Sequence, residues 1–117
     1  DINDNNLIKV VFNHKMNVIY LSRETIPHYT EKLKSKINYF RQLGLIAFNR
    51  ESLVTYSKLK MSYLEIIESV DMNRFIENGI PIKMIEVTQE TYSVDVFEDI
   101  QRVLVNMKKD TLFQKYK

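Results

Sequence analysis

Two glycines and two prolines in 117 residues set the tightest limit on this chain. Ordinary proteins use about 7% glycine and 5% proline. Gly44 and Gly79 stand alone, so there is little material for a glycine-rich loop that cradles phosphates. The chain must instead be built from regular elements joined by polar connections. Its apolar fraction of 44% with 27% charge is that of a globular protein, not of a disordered tail. A chain of this length can bury roughly two-thirds of its unfolded surface, enough for a real core.

Several function classes are disfavoured by composition. The 17 basic and 15 acidic residues are interspersed and leave a net charge of +2, which does not predict nucleic-acid binding. No apolar run approaches the ~20 residues that span a bilayer, so no membrane insertion is expected. The absence of cysteine removes disulfides, thiol catalysis and thiolate metal sites, and fits a reducing compartment such as the cytoplasm. His14 and His28 have no neighbouring ligand cluster, and no nucleophile has a base beside it.

Along the chain, Leu7 to Phe12 and Asn17 to Leu21 are β-rich runs around Asn13-His-Lys-Met16, which predicts a hairpin. The second run is apolar on both faces and reads as a covered strand. Pro27 makes Ser22 to Pro27 a loop leaving a strand end. His28 to Ile37 reads as a loop or short surface helix. Tyr39 to Phe48 is a predicted strand, with Gly44 marking a bulge or a close backbone approach. Ser52 to Lys58 predicts a short helix, and Tyr63 to Asn78 a longer one closed by Gly79. Pro81 to Val87 and Tyr92 to Val94 read as strands. Asp95 to Lys109 reads as a helix, with Phe97, Ile100, Leu104 and Met107 on one face. The expectation is one α/β unit over 1–117.

The longer helix has two apolar stripes: Ile66, Ile67 and Val70, then Leu64, Met72, Phe75 and Ile76. A surface helix needs only one, so this segment is expected at a subunit or domain junction. Asp71 and Arg74 have the spacing of a helical ion pair. Asp95-Val-Phe-Glu98 has the spacing of a capping box; alternatively Asp95 is a metal ligand at a strand end. Arg23, on a loop after a strand, can clamp a carboxylate; otherwise it is a solvated arginine.

Four segments together resemble one family. Val18-Ile-Tyr-Leu-Ser-Arg-Glu-Thr-Ile-Pro27 is similar to its "ALYFSRxxIP" segment, and Arg41-Gln-Leu-Gly-Leu-Ile-Ala-Phe48 to "RHLGIYxY". Leu64-Glu-Ile-Ile-Glu-Ser-Val-Asp-Met-Asn-Arg74, with Glu77-Asn-Gly79, is similar to "LExxExLxxLRxxExG". Ser93-Val-Asp-Val-Phe-Glu-Asp-Ile100 is similar to "xVDTPEDL". The family is the CMP-Kdo synthetases (3-deoxy-manno-octulosonate cytidylyltransferases) and related sugar-acid cytidylyltransferases.

The resemblance implies the C-terminal part of a Rossmann-like nucleotidyltransferase sheet with flanking helices. The CTP-binding N-terminal part of the family has no counterpart here. It implies a cytidylyltransferase with CTP as co-substrate, a Kdo-like sugar acid as acceptor, Mg²⁺ and a homodimer. Asp95 would be a magnesium ligand, and Arg23 would meet the sugar acid's carboxylate. Gln42 stands where the family has a sugar-binding histidine, and Asp71 and Met72 stand where it has a Glu-Gln pair. Gln42, Ile46 and Met72 depart from the family in the sugar-binding part, so the reaction class is better specified than the sugar. A nucleotidyltransferase for another nonulosonate and a non-enzymatic interaction module are the alternatives.

Overall fold

The computed structural model describes residues 2–30, 32, 37–88, 94 and 96–116. They group into two compact units, Asp1–Ile85 and Glu86–Lys117, where the sequence reading expects one. Residues 85–88 are all exposed.

The first unit is built on an antiparallel sheet of β1 (Lys9–Phe12), β2 (Val18–Ser22) and β3 (Phe40–Arg41), in the order β2-β1-β3. The predicted hairpin is β1-β2. Asn13 builds its turn: its Oδ1 accepts from the N–H of Lys15 at 2.9 Å and of Asn17 at 3.1 Å. Met16 closes the turn at φ 60.

In the β1-β2 register, Val11 faces Tyr20 but Phe12 faces Val18, so Ile19 is an extra residue in β2. Such a bulge turns one side chain out of sequence. Val18, Leu21 and Phe12 pack toward the core, while Ile19 is 56% exposed. The run expected to be covered on both faces is therefore open at Ile19.

The predicted strand Tyr39 to Phe48 shortens to two paired residues. Beyond Gln42, whose N–H donates to Ile8 O at 2.8 Å, no ladder is assigned, and Leu45 is 90% exposed. Gly44 has open space around it, so neither a close approach nor a Cβ clash explains it. The strand predicted at Pro81 to Val87 is a single bridge, Asn17 to Lys83, flanked by Val18 N–H to Ile82 O and Met84 N–H to Met16 O.

Helix α1 (Arg50–Lys58) starts at Asn49, whose side chain accepts from Ser52 N–H at 2.7 Å. The longer helix predicted over Tyr63 to Asn78 is two: α2 (Tyr63–Glu68) and α3 (Asn73–Glu77). Ser69 breaks it, in the left-handed region at φ 51. The break puts Val70, Met72, Asn73 and Phe75 together in the core beside Val10 and Leu21. Phe48, Tyr56 and Phe75 meet edge to face or tilted at 5.4–6.0 Å between ring centres. Gly79, at φ 69, closes α3 as expected, with Ile80 N–H returning to Phe75 O.

Of the stripe of Leu64, Met72, Phe75 and Ile76, Met72 and Phe75 are buried within the unit, Ile76 packs against them, and Leu64 is half-buried. Of the other stripe, Val70 is buried and Ile66 and Ile67 face outward at 60% and 59% exposure.

In the second unit, α4 runs from Asp99 to Met107, and a short 3-10 turn spans Phe113–Tyr116. The helix begins later than the predicted Asp95. Asp99 supplies its opening contacts, accepting from Val96 N–H at 3.2 Å and from Arg102 at 2.7 Å. Ile100 and Val103 are half-buried, whereas Phe97 and Leu104 are exposed. Tyr92, Ser93 and Asp95 lie outside the described residues, so the strand and the capping box read there have no structural counterpart to compare.

Phe75 is the aromatic hub of the core. Phe75→Ala should lower the unfolding free energy by about 3–5 kcal/mol, the usual cost of emptying a large buried aromatic site. The measurement is urea denaturation of the intact protein. A loss below about 1 kcal/mol, the average for any substitution, would contradict this core assignment.

Candidate functional site

Two polar clusters hold the α2-α3 segment, one on each arginine. The first is built on Glu65, in the first turn of α2 and buried. Arg74 donates to it through both Nε (2.8 Å, to Oε2) and Nη2. Ser62 N–H adds a third bond at 3.0 Å, the reciprocal half of a capping box. Arg74 also donates to Leu59 O at 3.2 Å and lies 4.5 Å over the Tyr56 ring. Bidentate hydrogen bonding from Arg74 holds the Glu65 carboxyl below its ordinary value; burial pushes the other way and loses. Sequence spacing pairs Arg74 with Asp71; the structure keeps that turn, with Arg74 N–H donating to Asp71 O at 3.1 Å, but the break at Ser69 folds α3 back so that the guanidinium pairs with Glu65.

The second cluster joins the end of β2 to the end of α2. Glu68 Oε1 accepts from Tyr20 Oη and Ser22 Oγ, both at 2.8 Å. Its Oε2 accepts from Arg23 N–H at 2.9 Å. The Arg23 guanidinium bonds carbonyls, not the carboxylate: Nε to Glu68 O (2.9 Å), Nη1 to Asn5 O (3.0 Å) and Nη2 to Ser69 O (3.2 Å). Burial raises the Glu68 carboxyl, but the donors from Arg23, Tyr20 and Ser22 outweigh it and the net shift is downward. Burial, then Glu68, push the Tyr20 phenol up to about 12, so it remains a donor at neutral pH.

Beneath this junction, Asn73 is fully buried and donates to Leu21 O at 3.0 Å. The Lys9 ammonium is buried too, and donates to Asp4 O (3.0 Å), Leu7 O (2.8 Å) and Arg23 O. Three carbonyls thus replace its hydration.

The residues singled out from sequence fall as follows. Arg23 is half-buried on the loop after β2. Gln42 follows β3, with a buried amide oxygen that has no partner among the described residues. Asp71 is exposed in the turn between α2 and α3. Met72, its neighbour, is 3% exposed and belongs to the core, so it offers no open surface. Arg23 reaches Ser69, two residues before Asp71. Asp95 lies outside the described residues. Among the described residues no three His, Cys, Asp or Glu side chains come together to hold a metal ion, and no helix is long and apolar enough to cross a membrane.

Glu68, Tyr20 and Ser22 carry no sequence signal of their joint role. They lie 46 and 48 residues apart, and only the fold brings them together.

No family model matches the chain. It is 33% identical over 112 residues to the 3-deoxy-manno-octulosonate cytidylyltransferase of Fusobacterium nucleatum subsp. nucleatum, covering 96% of this chain and 45% of that protein. It is 35% identical over 102 residues to that of Flavobacterium johnsoniae, covering 87% of this chain and 41% of that protein. A solved structure of CMP:2-keto-3-deoxy-manno-octonic acid synthetase complexed with CTP superposes with a TM-score of 0.82 at 30% identity, over 92% of this chain and 44% of that one. In sequence and in fold, the chain is similar to the C-terminal part of these cytidylyltransferases, and it spans less than half of their length.

Glu65 gives a pH signature. Its folded value is depressed from 4.5. The stability it contributes is present above that unfolded value and is lost as pH falls through the lowered folded one. Glu65→Gln should therefore destabilise the protein at pH 7, with the difference from wild type shrinking below about pH 4.5. Denaturant midpoints from pH 7 to 3 measure this. A difference independent of pH would remove the charge on Glu65 as the cause.

Proposed function

We propose that this chain, similar in sequence and fold to the C-terminal part of the 3-deoxy-manno-octulosonate cytidylyltransferases, is the acceptor-binding part of an enzyme of that kind. The observation that carries the reading is the agreement of two likenesses on one family: sequence identity over 96% of the chain and a superposition at TM-score 0.82.

The reaction is transfer of CMP from CTP to a 3-deoxy-2-keto sugar acid. The anomeric hydroxyl oxygen forms a bond to the α-phosphorus, its proton departs, and the bond to the pyrophosphate leaving group breaks. Such chemistry rests on positioning and charge neutralisation. Bound Mg²⁺ would supply Lewis-acid neutralisation of the phosphates. The described side chains do not assemble a metal site, so no step is assigned to the ion beyond the proposal that Asp95 is one of its ligands.

In this reading Arg23 meets the sugar acid's carboxylate. Carbonyls take three of its five N–H groups among the described residues, and the remaining two are suited to one carboxylate. Gln42 offers an amide where the relatives' motif has an imidazole, and exposed Asp71 can accept from a sugar hydroxyl. Met72 shapes the site only from beneath, through the core. In the same reading the CTP-binding surface would belong to the part of such an enzyme that this chain, spanning 45% of its relative, does not cover. A homodimer suits the outward pair Ile66 and Ile67, which would otherwise leave two large apolar side chains in water. A cytoplasmic location fits an acceptor and nucleotide that are both small and soluble.

Pyrophosphate release from CTP, Mg²⁺ and Kdo by the intact protein tests the reading. Steady turnover is expected, and this chain alone should give none. Absence of turnover with Kdo but turnover with another nonulosonate would keep the reaction class and change the sugar. Asp95→Asn in the intact protein should cut activity by orders of magnitude with little loss of fold, because Asn caps a helix but is a poor ligand for a hard cation. Wild-type activity with unchanged magnesium dependence would take Asp95 out of the site.

A further inference from the structure

The motifs single out Arg23, but the structure draws equal attention to Glu68. It is the last residue of α2, and its carboxylate is filled by three donors from one short stretch: Tyr20 Oη, Ser22 Oγ and the Arg23 main-chain N–H. The stretch answers in kind, since Arg23 Nε and Nη2 donate to the carbonyls of Glu68 and Ser69. Ser22 Oγ in turn accepts from Glu24 N–H at 3.0 Å, so the grip extends one residue into the loop.

This is an interlock and not an ion pair. Among the described residues the only salt bridges are Arg74 with Glu65 and Arg102 with Asp99. The Glu68 carboxylate is spent on an amide and two hydroxyls, and the Arg23 guanidinium on neutral carbonyls. Two consequences follow. The backbone of Arg23 is fixed at its own N–H, and its side chain is laid across the end of α2, so both ends of a long flexible side chain are located. Its positive charge is also left without a hydrogen-bonded carboxylate, which suits it to an anion from outside.

We propose that Glu68 is a positioning residue that sets Arg23 for the carboxylate of the sugar acid. This rests on the function proposed above. Neutralising Glu68 to an amide keeps an acceptor for Tyr20 and Ser22 but turns an NH₂ toward the Arg23 N–H. Donor then faces donor, and the main-chain grip is lost while the size of the side chain is kept.

The experiment uses the intact protein with CTP, Mg²⁺ and Kdo, and determines KM for each substrate in wild type, Glu68→Gln, Arg23→Lys and the double variant. Glu68→Gln should raise KM for Kdo by about tenfold or more and leave KM for CTP within about twofold, because only acceptor binding passes through Arg23. The double variant should be no worse than the worse single one, as expected of residues acting as one unit. A multiplicative double variant, or an equal rise in both KM values, would mean that Glu68 acts through general stability and overturns the proposal. Should Glu68→Gln fail to fold, Tyr20→Phe and Ser22→Ala each remove one donor and should show the same split at smaller size; no split in either overturns it. A wild-type protein without turnover on any sugar acid overturns the underlying function, and the role of Glu68 with it, so the two failures are told apart by the wild-type assay.

Discussion

The left-handed residue at Ser69 is the constraint on which the first unit depends. Had α2 continued, Val70 and Met72 would stand about 200° apart around the axis at 100° per residue, and only one could reach the core. The turn at Ser69 brings Val70, Met72, Asn73 and Phe75 into contact with the same sheet. A non-glycine residue in this region costs roughly 1–2 kcal/mol. Burying the one further large apolar side chain that the break brings in returns about 1.5–3 kcal/mol, enough to offset that cost. The same break turns the carbonyls of Glu68 and Ser69 outward, where Arg23 receives them.

That balance explains which elements could be read from sequence. The hairpin and α1 are specified locally: Asn13 makes the turn with its own side chain, and Asn49 caps the helix with its own. Gly79 likewise carries its signal in its lack of a side chain. Ser69 carries none. Serine is no helix breaker, and the cause of the break lies across the fold at Val10 and Leu21. The two apolar stripes are in part its visible trace, since Val70 and Met72, on opposite sides of a continuous helix, reach one core once the segment changes direction. The bulge at Ile19 is similar, for alternation along β2 cannot show which residue its partner strand skips.

The candidate site was legible to the same extent. Arg23 follows from its place after a strand, but its partner Glu68 is 45 residues away and looks like one acid among several. Asp71 and Met72 are adjacent in sequence and opposite in fate, one exposed and the other in the core, because the turn that carries them faces water on one side only. A motif aligned by position cannot separate them, whereas burial does.

The two arginines of the junction show why composition says so little about role. Arg74 finds a buried carboxylate in bidentate geometry and an aromatic face, so its charge is satisfied within the chain and its contribution is to hold α2 against α3. Arg23 is held by three carbonyls, which orient its guanidinium and leave two of its N–H groups open. Neutral acceptors fix a cation without occupying it with a counter-charge, whereas a bidentate carboxylate takes up its donors and its charge together. Glu68 still attracts the Arg23 charge through space, but its oxygens are taken by the main-chain N–H and two hydroxyls, so two guanidinium N–H groups stay open to another acceptor. The fold thus separates what holds the arginine in place from the two N–H groups it leaves open, an arrangement that suits the anionic acceptor proposed for it.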